Sequence, residues 1–349
     1  MILHLFVNEK FTIDYIKKIN QLFTPEEHFF LVYPKKAYCK TEDLECSNVK
    51  FCDLAKDHAI IEEKYKLADK VILHKLPYSL NELRLLCYLY KKYRKKMVWV
   101  LWGADLYNAY QYNHSLAVLK IKPLINEYYR KKLISNIYMV LTATDYEELV
   151  SRYSTNAIHS SAQYTYKLCG EPLSTKKNEL VNIMVGHSAT DTCRHLDVFE
   201  KLKRYQGKIK VFCPLSYPKD EQYISRITKA GESCFGKNFV AMTDFMGYDE
   251  YIKFLNSMDI GIFDNNRQQG MGNITNMLYL GKKVYLSEDN TINKIYARPE
   301  YEIFTMEEVD SDNFLMPLPE EIMLRNRKSI EDKFSDNTFE KEWKNVFEG

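Results

Sequence analysis

Three stretches of this sequence hold residues of the right type and spacing to do chemistry. Trp102-Gly103-Ala104-Asp105-Leu106-Tyr107 follows an apolar run, so a small-residue turn delivers a carboxylate to the end of that run. Asp105 reads either as a general base that takes a proton from an attacking hydroxyl or as the cap of the helix that follows. Gly186-His187-Ser188-Ala189-Thr190 lets the backbone approach an anion, with hydroxyl donors beside a helix start. It reads either as a phosphate site or as an ordinary strand-to-helix turn. Asp264 to Asn273 combines Arg267, a bidentate donor, with Gln268, Gln269, Gly270, Gly272 and Asn273 at a helix start. A flexible polar loop is the alternative there. These loops lack the P-loop and dinucleotide fingerprints, which disfavours ATP hydrolysis and hydride transfer. His187 and His195 have no carboxylate or third histidine at ligand spacing, so polar packing is expected and no metal.

Such loops need strands to end beside them. Short Val/Ile/Leu runs alternate with helical patterns, the signature of βαβ units on a parallel sheet. Strands are predicted at 2–7, 29–32, 71–74, 97–102 and 137–142, with capping-box spacing at Ser79/Glu82 and Thr144/Glu147 starting two helices. The stretch 168–178 reads as a linker. The pattern then restarts with strands at 181–185, 209–213, 239–242, 260–263 and 283–286, and helices near 195–204, 220–230, 249–256 and 273–280. Two doubly wound α/β domains are expected, 1–168 and 179–318, with 319–349 as C-terminal helices packing back on the first. In open parallel sheets ligands bind beyond the carboxyl ends of strands, where all three loops fall.

The chain has 349 residues, long enough for two cores. Its 49 basic and 47 acidic residues give a net charge of +2, which argues against a surface built to grip nucleic acid. No apolar run reaches the ~18 residues of a membrane span, and the start lacks the pattern of a signal peptide, so a cytoplasmic protein is expected. The eight cysteines are scattered and read as reduced thiols. Two basic–aromatic clusters, 91–96 and 128–132, suit an anionic lipid surface or are solvated helix ends.

The loops together resemble glycosyltransferase family 56, the TDP-N-acetylfucosamine:lipid II N-acetylfucosaminyltransferases of enterobacterial common antigen synthesis. The likeness rests on WGADLY at 102–107 and His74, then on Gly186, Ser188, His195, Pro214, Tyr217 and Tyr223, and most densely on 248–272 with RQQG at 267–270. It implies a GT-B fold, two Rossmann-like domains facing across a cleft. It also implies transfer of an N-acetylfucosamine-like deoxyamino sugar from a dTDP-sugar donor to a polyprenyl-diphosphate-linked saccharide. The product would be O-antigen of lipopolysaccharide or enterobacterial common antigen, made peripherally at the inner face of the cytoplasmic membrane. By the same resemblance, Gly186, Ser188, Tyr217, Arg267, Gln268, Gln269, Gly270, Gly272 and Asn273 bind the donor. His74, Trp102 and Tyr107 bind the acceptor, Asp105 is catalytic, and neither metal nor other cofactor is needed. His187 stands where the family has an amide, and 264–266 differ from its apolar approach, which leaves the donor sugar open. A nucleotide-sugar epimerase or hydrolase on the same fold, and a non-catalytic saccharide-binding scaffold, are the competing readings.

Overall fold

A computed structural model describes residues 1–34, 46–107, 121–171, 173, 179–265 and 268–349. Arg267 and Asn266 lie outside the described residues. The chain divides into two compact units, Met1–Tyr166 with Phe334–Gly349, and Lys167–Lys333.

The first unit is a parallel sheet of β1 (Ile2–Val7), β2 (His28–Tyr33), β3 (Val49–Phe51), β4 (Lys70–His74), β5 (Lys96–Val100), β6 (Met139–Leu141) and β7 (Ile158–Ser160). Their order is β3-β2-β1-β4-β5-β6-β7. The connecting helices are α1 (Thr12–Leu22), α2 (His58–Leu67), α3 (Leu80–Tyr93), α4 (Ile121–Ile134) and α5 (Tyr146–Arg152). The central strands β1, β4 and β5 are buried on both faces, as their near-continuous apolar runs require. Ser79 caps α3 by accepting the Glu82 N–H. The expected Thr144 cap is not used: α5 starts after Asp145, and the hydroxyl of Thr142 accepts the N–H groups of Thr144 and Asp145 instead.

The second unit repeats the plan with β8 (Val181–Val185), β9 (Ile209–Pro214), β10 (Phe239–Met242), β11 (Ile260–Phe263), β12 (Lys283–Leu286) and β13 (Phe304–Thr305), ordered β10-β9-β8-β11-β12-β13. Its helices are α6 (His195–Leu202), α7 (Glu221–Phe235), α8 (Tyr248–Asn256), α9 (Met271–Tyr279), α10 (Asn293–Tyr296) and α11 (Glu320–Lys333).

The tail divides where a single block was expected. Only α12 (Asp336–Glu348) joins the first unit, because Phe339, Trp343 and Val346 form a buried stripe at helical spacing. Buried Lys70 donates to the carbonyls of Val346 and Phe347 at its last turn. Mostly polar α11 stays with the second unit, where Arg327 donates to the Tyr279 hydroxyl on α9.

Candidate functional site

In the first unit the loops after β4 and β5 are tied together through one carboxylate. Asp105 Oδ1 accepts the Trp102 N–H at 2.9 Å. Its Oδ2 accepts the Leu76 N–H at 2.9 Å and the Trp99 indole N–H at 2.8 Å. Arg130 is fully buried and donates to the Asp105 carbonyl. Burial pushes the Asp105 carboxyl up, while the three N–H donors and the Arg130 charge pull the other way. Asp105, expected to activate an acceptor hydroxyl, has a side chain with no exposure in this structure, both of its oxygens being held by N–H donors. It lies within the first turn of a helix that begins at Ala104, and among the described residues it ties the loops after β4 and β5 together.

His74, expected to face an acceptor, is equally closed, with Nδ1 on the Tyr164 hydroxyl (2.6 Å) and Nε2 on His4 (3.0 Å). Trp102 keeps a partly exposed ring and donates its indole N–H to Tyr164. Tyr107 donates to Asp145, another buried carboxylate that burial pushes up. Glu9, two residues beyond the end of the central strand β1, is a carboxylate near the strand end that stays partly exposed. Sequence reasoning passed over it, although an acid near the end of the first strand is a legible signal.

In the second unit, Gly186 after β8 and Gly270 before α9 both adopt φ +69°, a backbone that favours glycine. A Cβ on Gly186 would meet His195 Nε2 at 2.6 Å, and one on Gly270 would meet the His187 ring at 3.2 Å. Two loops some eighty residues apart in sequence thus touch at the ends of neighbouring strands. Gln269 is anchored by its carbonyl oxygen, which accepts from Thr192 (2.6 Å) and Asn265 (3.1 Å). Ser188 is buried against Thr190 (3.0 Å), so its hydroxyl builds the loop. Tyr217 is exposed, its carbonyl accepting the Ala189 N–H. Gly272 and Asn273 lie in the first turn of α9.

Residues beyond those expected complete this shell. The Tyr223 hydroxyl donates to the Thr190 carbonyl (2.9 Å) and so accepts from His195 Nδ1 (2.8 Å). That fixes the His195 tautomer and leaves Nε2 as a bare lone pair. Burial takes His195 down to about 3, keeping it neutral. Its Nε2 and Asn265 Oδ1 are buried with no hydrogen-bond partner among the described residues. Cys193 Sγ contacts His187, Thr190 and Asn265. Burial raises this thiol, but the hydrogen bond and charge of His187 outweigh it and bring it to about 6. Thr192 and Cys193 gave no sequence signal, because neither stands in a periodic or motif position.

Comparison with known proteins places these loops in context. The model of the family described as 4-alpha-L-fucosyltransferase, glycosyl transferase group 56, matches residues 16–348. Among solved structures, HepE from Anabaena in complex with UDP superposes with a TM-score of 0.69 at 8% identity, covering 99% of both chains. A glycosyltransferase from Rickettsia africae gives 0.65 at 10% identity, covering 99% of this chain and 97% of that one. The apo lipopolysaccharide outer core galactosyltransferase WaaB gives 0.63 at 13% identity, covering 99% of both. The fold is that of GT-B glycosyltransferases.

Proposed function

This chain belongs to glycosyl transferase group 56 and is a glycosyltransferase, and on that footing we propose that it moves a deoxyamino sugar, N-acetylfucosamine-like, from a dTDP-sugar to a polyprenyl-diphosphate-linked saccharide of a surface polysaccharide. The observation that carries the donor side is the contact of the Gly186 and Gly270 loops at the N-terminus of α9. Backbone without side chains lets a diphosphate approach, and the helix terminus favours its charge as it leaves. Arg267, with Gln268 and Gln269, supplies donors in the same loop. The Anabaena protein of this fold was solved with UDP, so UDP is the competing donor nucleotide.

On the acceptor side the partly exposed Trp102 ring and Tyr107 border the sugar. Glu9 takes the role first given to Asp105, accepting the proton of the hydroxyl that attacks the anomeric carbon. Membrane association is carried by the adjoining faces of α3 and α4. Tyr88, Leu124 and Tyr128 are exposed there among Arg84, Lys91, Lys131 and Lys132, and Arg84 lies 5.3 Å over the Tyr129 ring. Basic residues near a bilayer surface contribute about 1 kcal/mol each against anionic lipid. Arg130 of the same cluster is buried and takes no part. Among the described residues no helix is long and apolar enough to cross a membrane.

Thermal unfolding with dTDP, UDP and GDP at equal excess tests the donor. A nucleotide at one hundred times its Kd adds about 2.7 kcal/mol. The expected result is a selective rise with dTDP that Arg267→Ala abolishes; a rise with UDP alone overturns the donor, and none with any overturns the reading. For the base, Glu9→Gln is expected to lower transfer about a hundredfold or more at unchanged melting temperature. Sedimentation with phosphatidylglycerol vesicles, weakened by salt and by Lys131→Glu/Lys132→Glu, tests the membrane face.

A further inference from the structure

The first unit contains a polar file that glycosyl transfer does not explain. His28 on β2, His4 on β1 and His74 on β4 lie on one face of the sheet, diagonal neighbours in the strand register. His4 Nε2 stands 3.0 Å from His28 Nδ1 and His4 Nδ1 3.0 Å from His74 Nε2; His74 Nδ1 then meets the Tyr164 hydroxyl at 2.6 Å. Beyond it the Trp102 indole N–H reaches the same hydroxyl at 2.9 Å. Apolar and aromatic side chains, Phe6, Tyr15, Phe30 and Trp343, surround the file. Among the described residues the histidines form no group able to hold a metal.

The chemistry of the donors gives this file a direction. An indole nitrogen only donates, so Tyr164 oxygen accepts from Trp102; among the described residues His74 Nδ1 is the one acceptor within reach of the Tyr164 proton, so that proton goes there. His74 must then carry its proton on Nε2 and give it to His4 Nδ1, and His4 Nε2–H gives to His28 Nδ1. Each neutral imidazole donates once and accepts once, so no polar atom in the interior of the file goes unpaired. Burial keeps the rings neutral: His4 and His74 fall well below the usual histidine range and His28 falls to about 4.

We propose that this single-polarity hydrogen-bond file fixes the indole of Trp102 at the strand-end site, making Tyr164 and His74 positioning residues. It goes beyond the functional reading and rests on that reading only for what the Trp102 ring touches. Trp102 is the partly exposed tryptophan of the three, Trp99 and Trp343 being buried, so acrylamide quenching of intrinsic fluorescence in the free protein reports its freedom without substrate. Tyr164→Phe removes one oxygen and is expected to raise quenching severalfold, an increase absent when Trp102→Phe is added. His74→Phe keeps an aromatic ring but breaks the direction and should behave likewise. His74→Gln restores one acceptor and one donor and should return quenching to the original value. Unchanged quenching in Tyr164→Phe overturns the proposal, as does a His74→Gln variant as mobile as His74→Phe, which would mean that ring shape alone holds the loop. Should His74→Phe not fold, the tyrosine variant still decides. Nucleotide binding measured by thermal shift with dTDP and UDP is expected to be unaffected in Tyr164→Phe, so failure of the donor reading and failure of this one are separate results.

Discussion

The strand-end loops of the two units solve opposite problems. In the first, polar groups saturate one another inside the protein: Asp105 takes three N–H donors, His74 has both nitrogens occupied, and Tyr107 closes on Asp145. In the second, the shell holds acceptors with no partner among the described residues, His195 Nε2 and Asn265 Oδ1, beside two left-handed glycines. The contrast teaches that charge type alone does not mark a reactive group. The most conspicuous carboxylate of the sequence ties two loops together, whereas in the second unit neutral small residues bring the backbone of two loops together at the start of α9.

The comparison breaks most severely at Asp105. Replacing it by alanine leaves three buried N–H groups unpaired near a buried guanidinium, so a loss of about 3–5 kcal/mol in urea unfolding is expected. Asp105→Asn should also destabilise, since its amide turns a donor toward donors. An Asp105→Asn variant with an unchanged midpoint and abolished turnover would restore the catalytic assignment and erase the contrast. In the second unit, Gly186→Ala forces a Cβ to 2.6 Å from His195 Nε2 in a left-handed backbone. A cost of about 2 kcal/mol is expected, together with loss of any nucleotide-induced thermal shift, because the loop must move.

Acid titration separates the units more gently. His4, His28, His74 and His195 are all held below the ordinary histidine range by burial. The folded chain therefore binds fewer protons than the unfolded one below pH about 6.5, and stability rises with pH there and is lost as pH falls toward the folded values. Each such histidine contributes a slope of about 1.4 kcal/mol per pH unit. Three of the four belong to the first unit, so His4→Gln should flatten the acid slope, measured by urea midpoints between pH 7 and 5. The smallest effects are at matched helix starts. Ser79→Ala and Asp220→Ala each remove a side-chain cap, at 3.3 and 3.0 Å, at a cost of about 1 kcal/mol each. Asp220→Ala should additionally weaken nucleotide binding, since α7 carries the Tyr223 that orients His195; equal binding in both variants would argue against that link.

Much of the fold was legible because central strands of a parallel sheet are apolar on both faces and announce themselves as runs. Strands β1, β8, β10, β11 and β12 have the bounds read from the sequence. Strands β3, β7 and β13 were not legible: two or three residues long, with no fully buried residue at a sheet edge, they carry no run to read. The tail was legible as helices but not in its destination, which the aromatic stripe of α12 decides.

The sequence by itself determined the two α/β units, the strand-end loops and the family likeness, because these depend on local periodicity and short motifs. Tertiary structure alone decided what each polar group does. Whether a carboxylate or imidazole is open or closed depends on partners brought from other strands: Leu76 and Trp99 to Asp105, Tyr164 and His4 to His74, Tyr223 to His195. Those separations run from six to ninety residues, so no spacing rule encodes them. Burial then sets the proton each group carries, and with it the chemistry left to it.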